Sequence, residues 1–296
     1  MNTGQQTTRS IYRTLEDRGV SVLAVLATVL VLLPLLAIFV YLVYKGAASL
    51  NLAFFTEIGK PPGEVGGGMA NAIVGSAMIL LLATLLGVPL GIGAGIYLAE
   101  FGRGTKLANA IRFTADVLNG VPSIVMGIAA YALIVSPHVN WLPVLGQFSG
   151  FAGGVALGIM MIPTIARTTE EMLLMVPNAV REAGLGLGVP NWRSTLSITV
   201  KTASPGIITG CMLAFARVAG ETAPLLFTAL GNDFWSVDLS RPMAALPLQI
   251  YKYALSPYDD WHRLAWAGSL VLIVLIVAAV SLVRYVTSRG VLKGAS

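Results

Sequence analysis

Arg217 and Glu221 are the residues whose types and spacing most suggest chemistry, because they are the two charges in the otherwise uncharged stretch 207–230. Four residues apart on a helix, they share one face. A charge at the centre of a bilayer costs roughly 2.5–3.5 kcal/mol on insertion scales, so such groups face a bundle interior or a watered path. Two readings stay open. The pair neutralises itself and only holds helices together, or it forms a polar gate along a solute path. In the second case the solute is expected to be an anion, since the planar fork of an arginine matches phosphate or carboxylate oxygens. Signatures of other chemistry are missing. The sequence has no Gly-x-x-x-x-Gly-Lys-Ser/Thr, no His-Glu-x-x-His and no Gly-x-Ser-x-Gly. Cys211 stands alone, which excludes an intrachain disulfide and a cysteine-based zinc cluster, and His138 and His262 are too few for a His-rich metal site. The glycine runs 91–95 and 184–188 superficially resemble nucleotide fingerprints, but neither has the strand–turn–helix setting that a nucleotide site requires. The chain is expected neither to bind ATP by itself nor to catalyse a reaction.

The elements that must position the pair are membrane helices. Of 296 residues, 56% are hydrophobic and 11% charged, against about 25% charged in soluble domains. A span needs about 20 apolar residues. Val20–Val43 supplies the first, with Pro34 as a kink, and Ile73–Leu98 the second. Val117–Ala166 has no charge and is long enough for two, punctuated by Ser136, Pro137, His138, Val139, Asn140, Pro143 and Gly150. Ile207–Leu230 is the fifth and Leu264–Val283 the sixth. The first run has 24 residues, longer than the 7–15 of a signal-peptide core, so it is expected to be a retained helix.

Six spans place both termini on one side. Thirteen basic residues fall on that side, in the tails and the second and fourth connections, against five on the other. The positive-inside rule then makes both termini cytoplasmic, and the net charge of +5 reports topology rather than nucleic-acid binding. The chain divides into a cytoplasmic tail (1–19), the first helix with an external loop (20–68), a multi-span domain (69–286) and a second cytoplasmic tail (287–296). Two connections are long: Arg167–Ser204, cytoplasmic and amphipathic, and Gly231–Arg263, external and rich in aromatic and acidic residues, Asp238 among them. Gly87, Gly91 and Gly95, and likewise Gly154 and Gly158, have the spacing that lets helix backbones approach in lipid, for bundle packing or for a dimer face.

After Pro177 and Asn178, the segment from Arg181 and Glu182 to Gly188 reads as a cytoplasmic helix. Glu182-Ala183-Gly184, three residues, then Gly188 resembles the Glu-Ala-Ala-x-x-x-Gly motif of ABC importer permeases, with Gly184 in place of the second Ala and Lys201 where a Leu-Pro pair is usual. Pro205-Gly206 follows as that pattern expects. Asn119–Gly127, Arg217–Leu225 and Ala99-Glu100-Phe101 resemble the phosphate-specific members, and Leu246–Tyr251 resembles the PstA-type subunit more than its PstC-type partner. The resemblance covers roughly residues 69–286. It implies an all-α polytopic fold of six transmembrane helices, the type I ABC importer permease fold, in a bacterial inner membrane.

The same resemblance implies a translocation path at Arg217, Glu221 and Thr222, and a coupling helix to an ATPase at Arg181, Glu182, Ala183, Gly184 and Gly188. It also implies a PstC-type second permease, two ATPase copies that bind the ATP and Mg, and an external phosphate-binding protein. This chain would hold no cofactor of its own. Energetics agree: an anion entering a negative cell works against about 2.3 kcal/mol per charge per 100 mV, so a passive pore would leak it outward. Alternatives are the same architecture for molybdate or sulfate, or a stand-alone ion-coupled transporter using Arg217 and Glu221 as a proton relay.

Overall fold

A computed structural model describes residues 3–64, 66–138 and 145–293, with side chains described within 17–287. Val139, Asn140 and Pro143 lie outside the described residues, as do 1–2 and 294–296, and the side chains of the tail arginines Arg9, Arg13 and Arg289 are likewise undescribed. In chain order the helices are α1 (Thr3–Ala47), α2 (Leu52–Thr56), α3 (Ala70–Ile96, extended by a π-helical turn Tyr97–Phe101), α4 (Lys106–Gly120), α5 (Ser123–Ala130, extended by a π-turn Tyr131–Val135) and α6 (Gly150–Leu174). Then follow α7 (Asn178–Gly186), α8 (Asn191–Ser194, running through a π-turn Thr195–Thr199 into the next), α9 (Val200–Ala219), α10 (Ala223–Thr228), α11 (Leu246–Ala254) and α12 (Asp259–Lys293). No strand occurs among the described residues.

Five helices are long and apolar enough to cross a membrane: Asp17–Ala47, Ala70–Phe101, Gly150–Leu174, Asn191–Ala219 and Asp259–Thr287. Together α4 and α5 are also long and apolar enough, bent by 111° between them, which brings the count to six where the pair is taken as one broken span. The break falls at Val121-Pro122, where proline cannot donate to the helix and disfavours helical backbone before it. The uncharged run 117–166 therefore does not hold two straight spans. Its first half is the upper limb of a broken one, whose lower limb α4 is amphipathic and starts at the Thr105 cap, the threonine hydroxyl accepting from Ala108 N at 3.2 Å.

The core of the bundle is α3 against α6. Both run the same way, and glycines set how near they come. A Cβ on Gly91 would lie 2.7 Å from Ile165 Cβ, one on Gly95 2.7 Å from the Ala166 carbonyl, and one on Gly154 2.6 Å from Leu82 Cδ2. The small-residue stripes are thus spent on packing inside this chain, which excludes their use as a dimer face. α9 runs antiparallel to α6, with Gly206 against Met172 and Gly210 against Thr168. One apolar cluster joins Ile79, Ala83, Leu157, Met161, Ala214, Val218 and Leu225 at mid-bundle; a second joins Ala99, Leu173, Val176, Ala203 and Ile207 at the end where α7 sits. By contrast, α1 touches the bundle through α12, where Tyr41 meets Trp266 edge-on at 5.2 Å and Gly46 abuts Leu270. Most of its other described side chains are exposed.

The 231–263 connection is not a continuous loop. α11 folds back into the bundle and buries Leu246, Leu248 and Gln249, and Ser76 Oγ caps it by accepting from Leu246 N at 2.6 Å. Its aromatics divide accordingly. Tyr253 is buried and stacked on Trp261 at 4.5 Å, whereas Phe234 and Trp235 stand exposed. Asp238 Oδ1 accepts from the backbone N–H and hydroxyl of Ser240 at 2.9 and 2.6 Å, which holds its carboxyl below the usual range.

Candidate functional site

Arg217 and Glu221 do not sit on one helical face in mid-span, as their spacing suggested. The helix stops between them: α9 ends at Ala219, Gly220 caps it, and Glu221 and Thr222 form the break before α10. The expected fifth span is shifted, running from Asn191 to Ala219 rather than from 207 to 230. Arg217 therefore lies in the last turn of the span rather than at its middle. Continuing the α9–α6 register from Gly210 beside Thr168 brings Arg217 about two turns further, to the level of Met161, near the middle of the 25-residue α6. Ala214 and Val218 share the mid-bundle cluster with Met161, which agrees.

A guanidinium in the last turn suits the negative end of the helix dipole. Arg217 is exposed on this chain, while Glu221 and Thr222 are half-buried. Among the described residues, no ion pair or hydrogen bond joins the Arg217 side chain to Glu221 or to any other group. Thr222 occupies the cap position of α10, with its carbonyl accepting from Leu226 N at 3.1 Å.

The break in α9–α10 stands beside the break in α4–α5. Asn119 Oδ1 accepts from Thr164 Oγ1 at 3.0 Å, which fixes the top of α4 at nearly the level of Met161. A Cβ on Gly127 of α5 would lie 2.9 Å from Pro224 Cα, so the upper limbs α5 and α10 are in close contact. The two segments singled out by sequence, Asn119–Gly127 and Arg217–Leu225, thus meet at mid-height. Broken helices at this depth are tolerated where they line a cavity or are buried in protein.

The other sequence-selected residues gather around α7. Glu182 and Ala183 are exposed, as are the apolar side chains of Met175, Leu185, Leu187 and Trp192 in and around α7. Gly188 takes φ +75 and ends the turn, its N–H donating to the Leu185 carbonyl at 2.9 Å. Gly184 faces inward. A Cβ there would lie 2.5 Å from Ser194 Oγ and 2.8 Å from Ile198 Cδ1, so glycine at this position is required by packing onto α8 and its π-turn. Arg181 also turns inward: Nη2 meets Glu100 Oε1 at 2.8 Å and donates to the Leu173 carbonyl at 2.6 Å.

Sequence reasoning missed Glu170. Its carboxylate is 4% exposed and bridges Arg112 Nε at 2.6 Å and Arg167 Nη1 at 3.1 Å, while Arg167 Nε reaches Asp116 Oδ1 at 3.0 Å. Arg112 also donates to the Leu98 carbonyl at 3.0 Å. The available signal was Arg167 three residues before Glu170, a spacing at which helix side chains meet.

A bundle of apolar helices, one pair of them sharply bent and another ending beside an exposed arginine, has the architecture of a multi-pass membrane protein. The chain belongs to the family of binding-protein-dependent transport system inner membrane components, matched over residues 87–290, and is thus a multi-pass inner-membrane protein. It is 49% identical to the phosphate transport system permease protein PstA of Yersinia pestis over 83% of this chain and 81% of that one. With PstA of Pasteurella multocida it shares 45% identity over 90% and 92% of the two chains. A chain of the inward-facing MetNI methionine ABC transporter superposes with a TM-score of 0.54 at 18% identity, covering 77% of this chain and 97% of that one. The fold is that of an ABC importer permease.

Proposed function

We propose that this chain is the PstA-type permease subunit of an ATP-driven phosphate importer, forming one half of the translocation path. The observation that carries the reading is Arg217: a charged, exposed and unpaired guanidinium at mid-height, beside two helix breaks. An unpaired charge at this depth is costly, and a transient anionic guest offsets that cost. The names of the relatives favour phosphate over molybdate or sulfate. A PstC-type permease would close the path over the exposed face, and an external binding protein would deliver phosphate. Both termini would be cytoplasmic. Two ATPase subunits would bind ATP and Mg, one of them docking on α7 through Glu182, Ala183 and the exposed leucines beside them. Leu187 and Trp192 suit the core of such an interface.

Purification of the native complex, with identification of its chains, tests the assembly. Co-purification of an ATPase and a second permease supports it. Phosphate transport by this chain alone, reconstituted without partners, would instead support an ion-coupled carrier.

A further inference from the structure

Arg181 was expected to belong to the docking surface, yet 15% of its side chain is exposed and its guanidinium is fully engaged with this chain. Nε and Nη2 both bond Glu100 Oε1, at 3.1 and 2.8 Å. Nη1 donates to the Val176 carbonyl at 2.5 Å, and Nη2 donates to the Leu173 carbonyl at 2.6 Å. These carbonyls belong to the last turn of α6 and the residues after it, where i+4 helical donors run out, the Leu173 carbonyl accepting a tight-turn bond from Val176 N at 3.2 Å, and a cation is favoured by the dipole. Glu100 belongs to the π-turn that ends α3, and its side chain is 9% exposed. On its other side α7 is seated through Gly184 against Ser194 of α8 and Ile198 of the π-turn that follows it. One short helix is therefore tied to the ends of three spans; Val180 packs on the apolar cluster of Ala99 and Leu173, and Arg181 supplies the directional polar tie to α3 and α6.

We infer that Arg181 is a positioning residue, a latch that makes α7 move as one body with the ends of α3 and α6 through Glu100 and the Leu173 and Val176 carbonyls. The inference rests on the reading that an ATPase docks on α7. The α7 helix has nine residues and a glycine-rich second half, so without the latch it could shift against the bundle and leave the spans behind. A displacement of docked ATPase would then be absorbed at α7 instead of reaching α3, whose carbonyl at Leu98 is in turn held by Arg112. Lysine could not replace the arginine, because a point donor cannot hold a carboxylate and two carbonyls in a fixed plane.

The test uses the complete complex in proteoliposomes, with the second permease, the ATPase and the phosphate-binding protein. Arg181→Gln, Arg181→Lys, Glu100→Gln and the Arg181→Gln/Glu100→Gln double variant are compared for phosphate moved per ATP hydrolysed. The latch predicts a fall of about tenfold in that ratio for both Gln variants, within the usual range of coupling between sites, with hydrolysis near wild type and the ATPase still co-purifying. The double variant should be no worse than either single change, as for partners in one interaction. An unchanged ratio, or uptake and hydrolysis falling in proportion, would overturn the latch. Glu100→Gln leaves the two carbonyl contacts in place and decides the matter if Arg181→Gln does not assemble. Failure of both to assemble marks the contact as purely structural and also overturns it. If the ATPase does not co-purify with the wild-type chain, it is the docking reading that fails.

Discussion

Three arginines at the α7 end of this bundle behave in the opposite way to the arginine at mid-height. At the α7 end, Arg112, Arg167 and Arg181 each meet a carboxylate, and Glu170 and Glu100 are nearly buried under them. At mid-height, Arg217 has a carboxylate four residues away and does not pair with it, because α9 ends before Glu221. Charge content alone does not distinguish the two levels; the local backbone does. A continuous α6 places Arg167 and Glu170 on one face, whereas the break at Gly220 takes Glu221 out of the helical register. The paired arginines hold helices in place. On the proposed reading, Arg217, without such a partner, would be available to an anionic guest.

The contrast can be broken most severely at Glu170. Removing this carboxylate takes the shared acceptor from Arg112 and Arg167, leaving them the Leu98 carbonyl and Asp116; breaking a fully buried pair costs about 3–5 kcal/mol, and the partial exposure of both arginines lowers that cost. Glu170→Ala should still reduce the yield of folded chain in detergent, measured by size-exclusion chromatography. A normal yield would show that the network is dispensable. At mid-height the effect should be on transport, with assembly spared. Arg217→Lys should retain about a tenth or less of phosphate uptake with normal complex yield, since an ammonium loses the bidentate geometry. Full uptake would reduce Arg217 to a generic positive charge.

A third change probes the exposed side of α7. Glu182→Lys reverses a charge on a small contact surface and should lower coupled uptake several-fold while leaving insertion intact, read as uptake against the amount of chain in the membrane. Wild-type coupling in an intact complex would remove Glu182 from the docking surface. The smallest effect is expected from Phe234→Cys, at an exposed position in the connection between α10 and α11. It should be labelled by an impermeant thiol reagent from outside the cell, and labelling solely from the cytoplasmic side would invert the orientation. Phe234 suits this better than Asp238, whose carboxylate organises its own turn with Ser240.

Hydropathy made the long spans legible because burial in lipid leaves a continuous uncharged run. It could not reveal the α4–α5 bend, since the uncharged run starts at Val117, near the end of a lower limb that carries Lys106, Arg112 and Asp116; the cue was local, at Pro122. The shift of the fifth span had a similar cause. Charges at Arg193 and Lys201 mark the connection in a charge count, yet both lie within the spanning helix, near its α7 end. The α7 motif located a helix correctly but not its sides. Arg181 and Gly184 proved to face the bundle, a distinction that depends on where α3 and α8 end and is therefore absent from local spacing. Glu170 was invisible for the opposite reason: its arginine partners were read as topology markers, and one of them, Arg112, lies 58 residues away in sequence.

Uptake by the Arg217→Gln/Glu221→Gln double variant tests the role of the mid-height arginine most directly. If the two residues merely neutralise one another, deleting both charges together should restore function. The unpaired geometry predicts otherwise: phosphate uptake near zero in cells or proteoliposomes, with the complex assembled at normal yield. Wild-type uptake in the double variant would contradict a pathway role for Arg217.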